Sequence, residues 1–212
     1  MKLIVSQLTN LSRLAHCHKK AFPESLSSHL GNRFVKKMLS WYIIDERGIL
    51  FHVEENNEII GYCGGMVIKK PGLPGAATSI TQHSFKTFIT SFLIRPWLIF
   101  HPENLKRISF IKRNLMYKLG LKKVINNKTD IQPSEFKTSW GLVVIGVSPD
   151  YQGKGVGSLL LQEFERLAKL DVVHKMILSV KSGNLKAINS YTKNGWQTGT
   201  KSQDSLNMHK EI

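Results

Sequence analysis

The stretch VIGVSPDYQGKGVGSLLL, Val144 to Leu161, decides the fold. Its first part is apolar and β-branched and reads as a buried strand. Pro149 and Asp150 break that strand, and Gly153, Gly155 and Gly157 follow at alternate positions. An amphipathic helix then begins, with Val156, Leu159, Leu160, Phe164, Leu167 and Ala168 as its apolar stripe. Glycines at a helix start leave backbone N–H groups pointing one way, and the helix dipole adds partial positive charge there. Such a turn can cradle a pyrophosphate.

The spacing excludes two familiar cradles. No Gly-Lys-Ser or Gly-Lys-Thr follows, as a mononucleotide loop requires, and Gln152 to Gly157 reads Q-x-x-G-x-G rather than G-x-G-x-x-G. A tight strand-to-helix turn with packing glycines is the plainer reading of the same residues. Downstream, Met176 to Val180 reads as a short strand, and SGNLKAINSYTKNGW follows, Ser182 to Trp196. Asn184 suits a helix N-cap, and Leu185, Ile188 and the Tyr191 ring can share a buried face. Gly195 suits a left-handed helix stop.

In this order, the two segments resemble the coenzyme A loop and the following helix of the GNAT N-acetyltransferase superfamily. The resemblance covers Trp140 to Thr200. It rests on Gln152, Gly155 and Gly157, then on Asn184, Ala187, Tyr191, Gly195 and Trp196. It implies an α/β fold, a mixed central sheet of about six to seven strands with flanking helices. It implies acetyl-CoA as co-substrate and acetyl transfer to a primary amine. By the same resemblance, backbone amides of Gln152, Gly153, Lys154, Gly155, Val156, Gly157 and Ser158 hold the pyrophosphate. Ile145 and Val147 lie along the pantetheine arm, Asn184 and Ala187 face the cofactor, and Tyr191 protonates the departing thiolate. A buried ring with a satisfied hydroxyl is the plainer reading of Tyr191.

The family's usual strand glutamate has no counterpart. The matching position is Gly141, and no carboxylate lies between Glu135 and Asp150. A base must come from elsewhere or be a water. Glu24 and His29, between the first two helices, are the first candidates, with His101 and Glu103 behind them.

Composition bounds the rest. With 212 residues and 42% hydrophobic content, the chain supports one domain, 1–212, with a real core. Thirty Lys plus Arg against 15 Asp plus Glu give a net charge of +15. That excess suggests an acidic partner or a solvated basic surface. Cys17 and Cys63 form no disulfide framework, and His16-Cys17-His18 lacks a second ligand cluster, so no metal is expected. The first residues lack the apolar core of a signal peptide, and a cytoplasmic address is expected.

Along the chain, Leu3 to Ser6 reads as a strand, Leu8 to Ala21 and Ser27 to Trp41 as helices. Ile49 to Glu54 and Glu58 to Ile68 read as a hairpin. The glycines at 61, 64 and 65 predict a close approach to the second hairpin strand. A basic, partly helical insertion, 69–139, then precedes the coenzyme A strand. His83 to Phe100 is apolar and aromatic, and Leu105 to Val124 reads as a cationic helix. From Lys86 to Lys128 there are ten Lys or Arg and one acid, Glu103. The insertion reads as packed helices, as a wall of the acceptor site, or as a membrane-surface element. Nucleic acid is disfavoured, because no reader motif accompanies the charge. The segment AFPESLSSHLGNRF, Ala21 to Phe34, resembles GNAT members linked to bacterial surface-polysaccharide building. That favours a phosphate-bearing amino sugar as the small-molecule acceptor, on a nucleotide or a lipid carrier. A protein or peptide amine is the rival, and a non-catalytic acyl-CoA binder is the other class. Oligomeric state is not readable from these patterns.

Overall fold

Asn56 and Asn57 both adopt left-handed backbone, φ 49° and 62°, a conformation asparagine tolerates better than most residues. They join β2 (Gly48–Glu55) to β3 (Glu58–Ile68), close to the expected hairpin. The computed structural model describes residues 1–69, 73–106, 112, 115–116, 138–171 and 173–212. The other strands are β1 (Lys2–Val5), β4 (Ser139–Val147), β5 (Lys175–Lys181), β6 (Gln197–Lys201) and β7 (Ser205–Glu211). They form one seven-stranded sheet of order β1-β2-β3-β4-β5-β7-β6. Only β4 and β5 run parallel; the other neighbours are antiparallel. The class is α/β with a mixed sheet.

Both faces of the sheet are covered. On one lies α7 (Val156–Leu170), whose Val156, Leu160 and Phe164 are fully buried in a core with Cys63, Trp140 and Met176. On the other lie α1 (Leu11–Ala21) and α3 (Asn32–Ile44). Their Leu14, Val35, Leu39 and Tyr42 pack with Leu50, Tyr62 and Met66. Truncating a ring such as Phe164 to alanine in a core like this costs about 3–5 kcal/mol.

Two glycines of β3, Gly61 and Gly65, have their reason in α7, while Gly64 faces Tyr42 and Leu50 on the other side. A Cβ on Gly61 would lie 3.0 Å from Val156, and one on Gly65 would run into the Phe164 ring and sit 2.8 Å from the Gly141 carbonyl. The close approach expected there is made by the chain's own helix.

The helix expected over Ser27 to Trp41 is divided. A short α2 (Leu26–His29) ends before Gly31, and α3 starts at Asn32. Gly31 has φ 94°, and a Cβ there would lie 3.0 Å from the Arg95 guanidinium. Arg95 donates to the Leu30 carbonyl at 3.1 Å. The break is set by a residue of the insertion, which local periodicity does not report.

The insertion contains α4 (Ala76–His83), α5 (Phe85–Ile94), a 3-10 turn (Pro96–Phe100) and α6 (Pro102–Lys106). Leu98, Phe88 and Phe92 pack on Leu30 and Phe34. The cationic helix expected over Leu105 to Val124 lies almost wholly outside the described residues.

Candidate active site

The strands β4 and β5 pair only from Ser139↔Lys175 to Leu142↔Leu178. At that point β4 carries a bulge: Gly65 pairs with Leu142 and Gly64 with Val144, leaving Val143 without an opposite residue. A bulge bends its strand and increases local twist. The two strands part, and a cleft of about 600 Å³ opens between them. Its walls are Val143, Val144 and Ile145 on one side and Ser179, Val180 and Lys181 on the other. Helix α8 (Leu185–Lys193) contributes Ala187 and Tyr191, its capping residue Asn184 also faces the cleft, and Phe22 to Ser25 closes the far end. A second space of about 870 Å³ shares Glu103, Val180, Lys181 and Asn184 with it and reaches Gln203, Asp204 and Ser205.

The glycine turn lies past the end of β4. Gly153 and Gly155 have φ 78° and 84°, and Gly155 is the N-cap of α7. These two need glycine for their backbone. Gly157 does not, and a Cβ added to it would meet nothing within 4 Å. Neither conformation nor packing within the chain demands glycine there, and the space over the first turn of α7 is open. The unpaired N–H groups of a helix start face such a space. The residues therefore fit a pyrophosphate.

Two of the seven amides expected to hold it are engaged within the turn. The Gln152 N–H donates to the Pro149 carbonyl at 3.2 Å and that of Lys154 to Tyr151 at 3.4 Å. The Gln152 side chain ties the turn to both walls: Nε2 donates to the Val147 carbonyl at 3.1 Å, and Oε1 accepts from Lys186 at 2.6 Å. Lys154 is exposed, its ammonium 5.3 Å from the Tyr151 ring centre. Ser158 accepts from Asn194 at 3.2 Å, joining the start of α7 to the end of α8.

Asn184 is the N-cap of α8, its Oδ1 accepting from the Ala187 N–H at 3.2 Å. A cap of this kind is worth about 1 kcal/mol. Tyr191 is 9% exposed, lines the cleft and packs on Trp196 with ring centres 6.0 Å apart. Burial, with the Cys63 thiol adding, pushes its phenol up to about 12. The hydroxyl keeps its proton at any working pH.

Gly141 sits in the paired part of β4, beside Trp140, whose ring packs edge-on against Phe164. Two of the candidate bases, Glu24 and Glu103, stand instead at the far end of the cleft. Glu24 and Ser25 line it, and Glu103 reaches it from α6. Glu103 accepts from Lys181 of β5 at 2.9 Å and from the Leu26 N–H at 3.3 Å, a strap across the end of the cleft. His29 is not among the lining residues; it is exposed, its Nδ1 hydrogen-bonds the Ser25 carbonyl at 2.9 Å, and its ring lies 5.1 Å from that of His101.

Sequence reasoning missed Lys181 and the strap it forms, because no local pattern marks a contact between the insertion and β5. It also missed the bulge at Val143, whose one signal is the glycine pair opposite. A hydrogen-bonded chain runs from the buried Tyr62 and His18 through the half-buried Ser27 to Ser25 on the cleft wall. His18 bonds Tyr62 through Nδ1 and Ser27 through Nε2 at 2.8 Å, and Ser27 bonds Ser25 at 2.9 Å. Burial pushes the His18 imidazole down to about 4, so it is neutral at pH 7. The neighbouring Cys17 is buried and its thiol is pushed up to about 11, while His16 faces solvent. Among the described residues no group of three or more His, Cys, Asp or Glu could hold a metal ion.

A parallel strand pair parts beside a glycine-started helix, and the open helix start fits a pyrophosphate-linked cofactor at the strand ends. Residues 126–196, less than half of the chain, match the model of the acetyltransferase (GNAT) family. The whole chain aligns with solved structures of low identity. One is the ribosomal-protein-S18-alanine N-acetyltransferase of Escherichia coli (16% identity, all of this chain and 93% of that one, TM-score 0.56). Another is the PaiA N-acetyltransferase of Thermoplasma acidophilum in complex with coenzyme A (12%, 100% of both chains, TM-score 0.56). A third is Naa20 of Chaetomium thermophilum with a bisubstrate analogue (16%, 100% and 87%, TM-score 0.57). No curated protein matches in sequence. The family match supports a GNAT-type acetyltransferase, and the solved structures show that the whole chain shares that fold. They give no support to the link with surface-polysaccharide building.

Proposed function

We propose that the protein moves the acetyl group of acetyl-CoA to a primary amine held in the far half of the cleft. The observation that carries this is the parting of β4 and β5 at Leu142 and Leu178, with Tyr191 on the wall and the glycine turn following the end of β4. Gly153, Gly155, Val156, Gly157 and Ser158 hold the pyrophosphate, Ile145 and Val147 the arm, and Asn184 and Ala187 the opposite wall. Acetyl-CoA supplies the activated thioester. Tyr191 holds a proton at Oη on the cleft wall, for the sulfur side. Glu24, in the lining, takes the proton of the acceptor ammonium, with His29 as the second candidate at the mouth.

The cleft accommodates more than a bare amine, since the space past Glu103 extends to the β6–β7 turn. An amino sugar on a phosphate carrier fits the net charge of +15. A peptide amine is the rival, favoured by the carboxylates of Glu24, Glu103 and Asp204 around the two spaces. The deciding experiment is thiol release from acetyl-CoA against amino-sugar nucleotides, polyamines, aminoglycosides and peptides. Turnover with a phosphate-bearing amine, with an apparent KM that climbs steeply with salt, supports the sugar reading. Turnover with peptides alone supports the rival, and binding of acetyl-CoA without turnover of any amine overturns acetyl transfer.

A further inference from the structure

Among the described residues of the insertion, the exposed large apolar side chains concentrate between Leu93 and Phe100. In the 3-10 turn Pro96–Phe100, Leu98 alone points inward, 4% exposed, while Trp97, Ile99 and Phe100 are 63%, 56% and 76% exposed. Arg95 and Asn104 pin the inner side, through the Leu30 and Leu98 carbonyls at 3.1 and 2.6 Å. On α5, Lys86, Ile89 and Leu93 stand at helical spacing on one exposed face, with Ile94 beside them. Single exposed apolar side chains are ordinary, but a clustered set marks an interaction surface.

We propose that this face docks on an anionic lipid bilayer, with Leu93, Ile94, Trp97, Ile99 and Phe100 entering the headgroup layer. Charge decides the occupant. The run from Lys86 to Lys128 holds ten Lys or Arg and one acid, and that acid, Glu103, is ion-paired with Lys181 on the cleft side. A second copy of a chain carrying +15 is repelled, whereas an anionic surface attracts it. Most of the exposed side chains are aliphatic, and these enter the boundary of headgroups and acyl chains but do not stack on bases. No helix among the described residues is long and apolar enough to cross a membrane, so the contact is peripheral. The proposal does not depend on acetyl transfer.

The chain carries its own reporter. Trp41, Trp140 and Trp196 are buried at 3–4% exposure, and Trp97 is the exposed tryptophan. The full-length protein is mixed with vesicles of phosphatidylcholine, with and without phosphatidylglycerol, some carrying brominated acyl chains. Anionic vesicles at low salt are expected to shift the emission to the blue and to quench it, with affinity falling at least about tenfold at high salt. Neutral vesicles leave the spectrum unchanged. The variant Leu93→Ser, Ile94→Ser, Ile99→Ser, Phe100→Ser keeps Trp97 and is expected to lose at least about tenfold in vesicle affinity. Its thermal shift with acetyl-CoA stays that of the wild type, which shows that it is folded. Overturning results are three: no shift with anionic vesicles at low salt, wild-type affinity in the quadruple variant, or Trp97 shielded by self-association or by nucleic acid while vesicles fail.

Discussion

At the scale of single residues, Tyr191 is the sharpest test of chemistry. Its phenol, pushed up to about 12, is several pH units above an ordinary thiol. In the proposed role it is a hydrogen-bond donor to the departing sulfur, and the alkaline limb of a rate profile is expected to belong to another group. Tyr191→Phe is expected to lower turnover by about one to three orders of magnitude and to leave acetyl-CoA affinity nearly unchanged. Steady-state kinetics beside calorimetry measures both, and unchanged turnover would falsify the role. His18 carries a different expectation. Its folded value near 4 lies below the unfolded 6.5, so the unfolded chain binds the extra proton between those values. The contribution to stability is full above about pH 6.5 and is lost as pH falls toward 4, in all ~3 kcal/mol. His52 and His83 are pushed down by burial as well, so the measurement is a difference. Urea unfolding of His18→Gln should depend less steeply on pH over that window than the wild type. Parallel curves for the two proteins would remove His18 from the acid response. Tyr191 was legible because it sits in a local signature. The bonds of His18 were not, because Tyr62 lies on a strand distant in sequence.

At the scale of elements, the glycine turn can be separated from its own backbone strain. Gly155 has φ 84°, so any side chain there confounds folding with binding. Gly157 has ordinary backbone and open space around its Cβ position. Gly157→Asp should therefore abolish the thermal shift given by acetyl-CoA. The free protein should be as stable as before or slightly more so, since a carboxylate at a helix start is worth about 0.3–1 kcal/mol. Retained acetyl-CoA binding by calorimetry would place the pyrophosphate elsewhere. Gly65→Ala tests the layer beneath. Its methyl would meet Phe164 and the Gly141 carbonyl, and a cost of about 1–3 kcal/mol in chemical denaturation is expected. A cost near zero would mean that α7 does not press on β3 as described. Strands, turn and coenzyme helix were readable because period, glycine and capping signals are local. The split between α2 and α3 was not, since Arg95 makes it, nor was the strap of Glu103 between Leu26 and Lys181.

At the scale of the molecule, the net charge of +15 is the dominant feature. Self-repulsion in the compact state exceeds that in the unfolded chain, and salt screens it with a Debye length of about 8 Å at physiological ionic strength. Sodium chloride raised from low to physiological concentration is expected to raise Tm at constant pH. A fall in Tm would show that attractive pairs such as Lys210 with Glu165, 2.6 Å apart, outweigh the repulsion. The architecture as a whole was legible because two motifs in order select it. The acceptor was not, because the residues at the far end of the cleft come from the segment between α1 and α2, from α6 and from β5, and no spacing along the chain relates them.

The short parallel pairing of β4 with β5 makes the sheet a seam as well as a scaffold. Four register pairs, Ser139↔Lys175 to Leu142↔Leu178, join β1–β4 to β5–β7. An extended amide-bearing arm laid along Val144 to Val147 would act as a further strand and stitch the two parts into one cooperative unit. Amide hydrogen exchange reads this directly. In the free protein, the amides of β4 and β5 that bond across this seam should exchange through an opening less costly than global unfolding, while those of β5 that bond to β7 stay protected; coenzyme A should slow the seam amides toward the global limit. Equal protection with and without coenzyme A would mean that the seam is already closed by the protein alone.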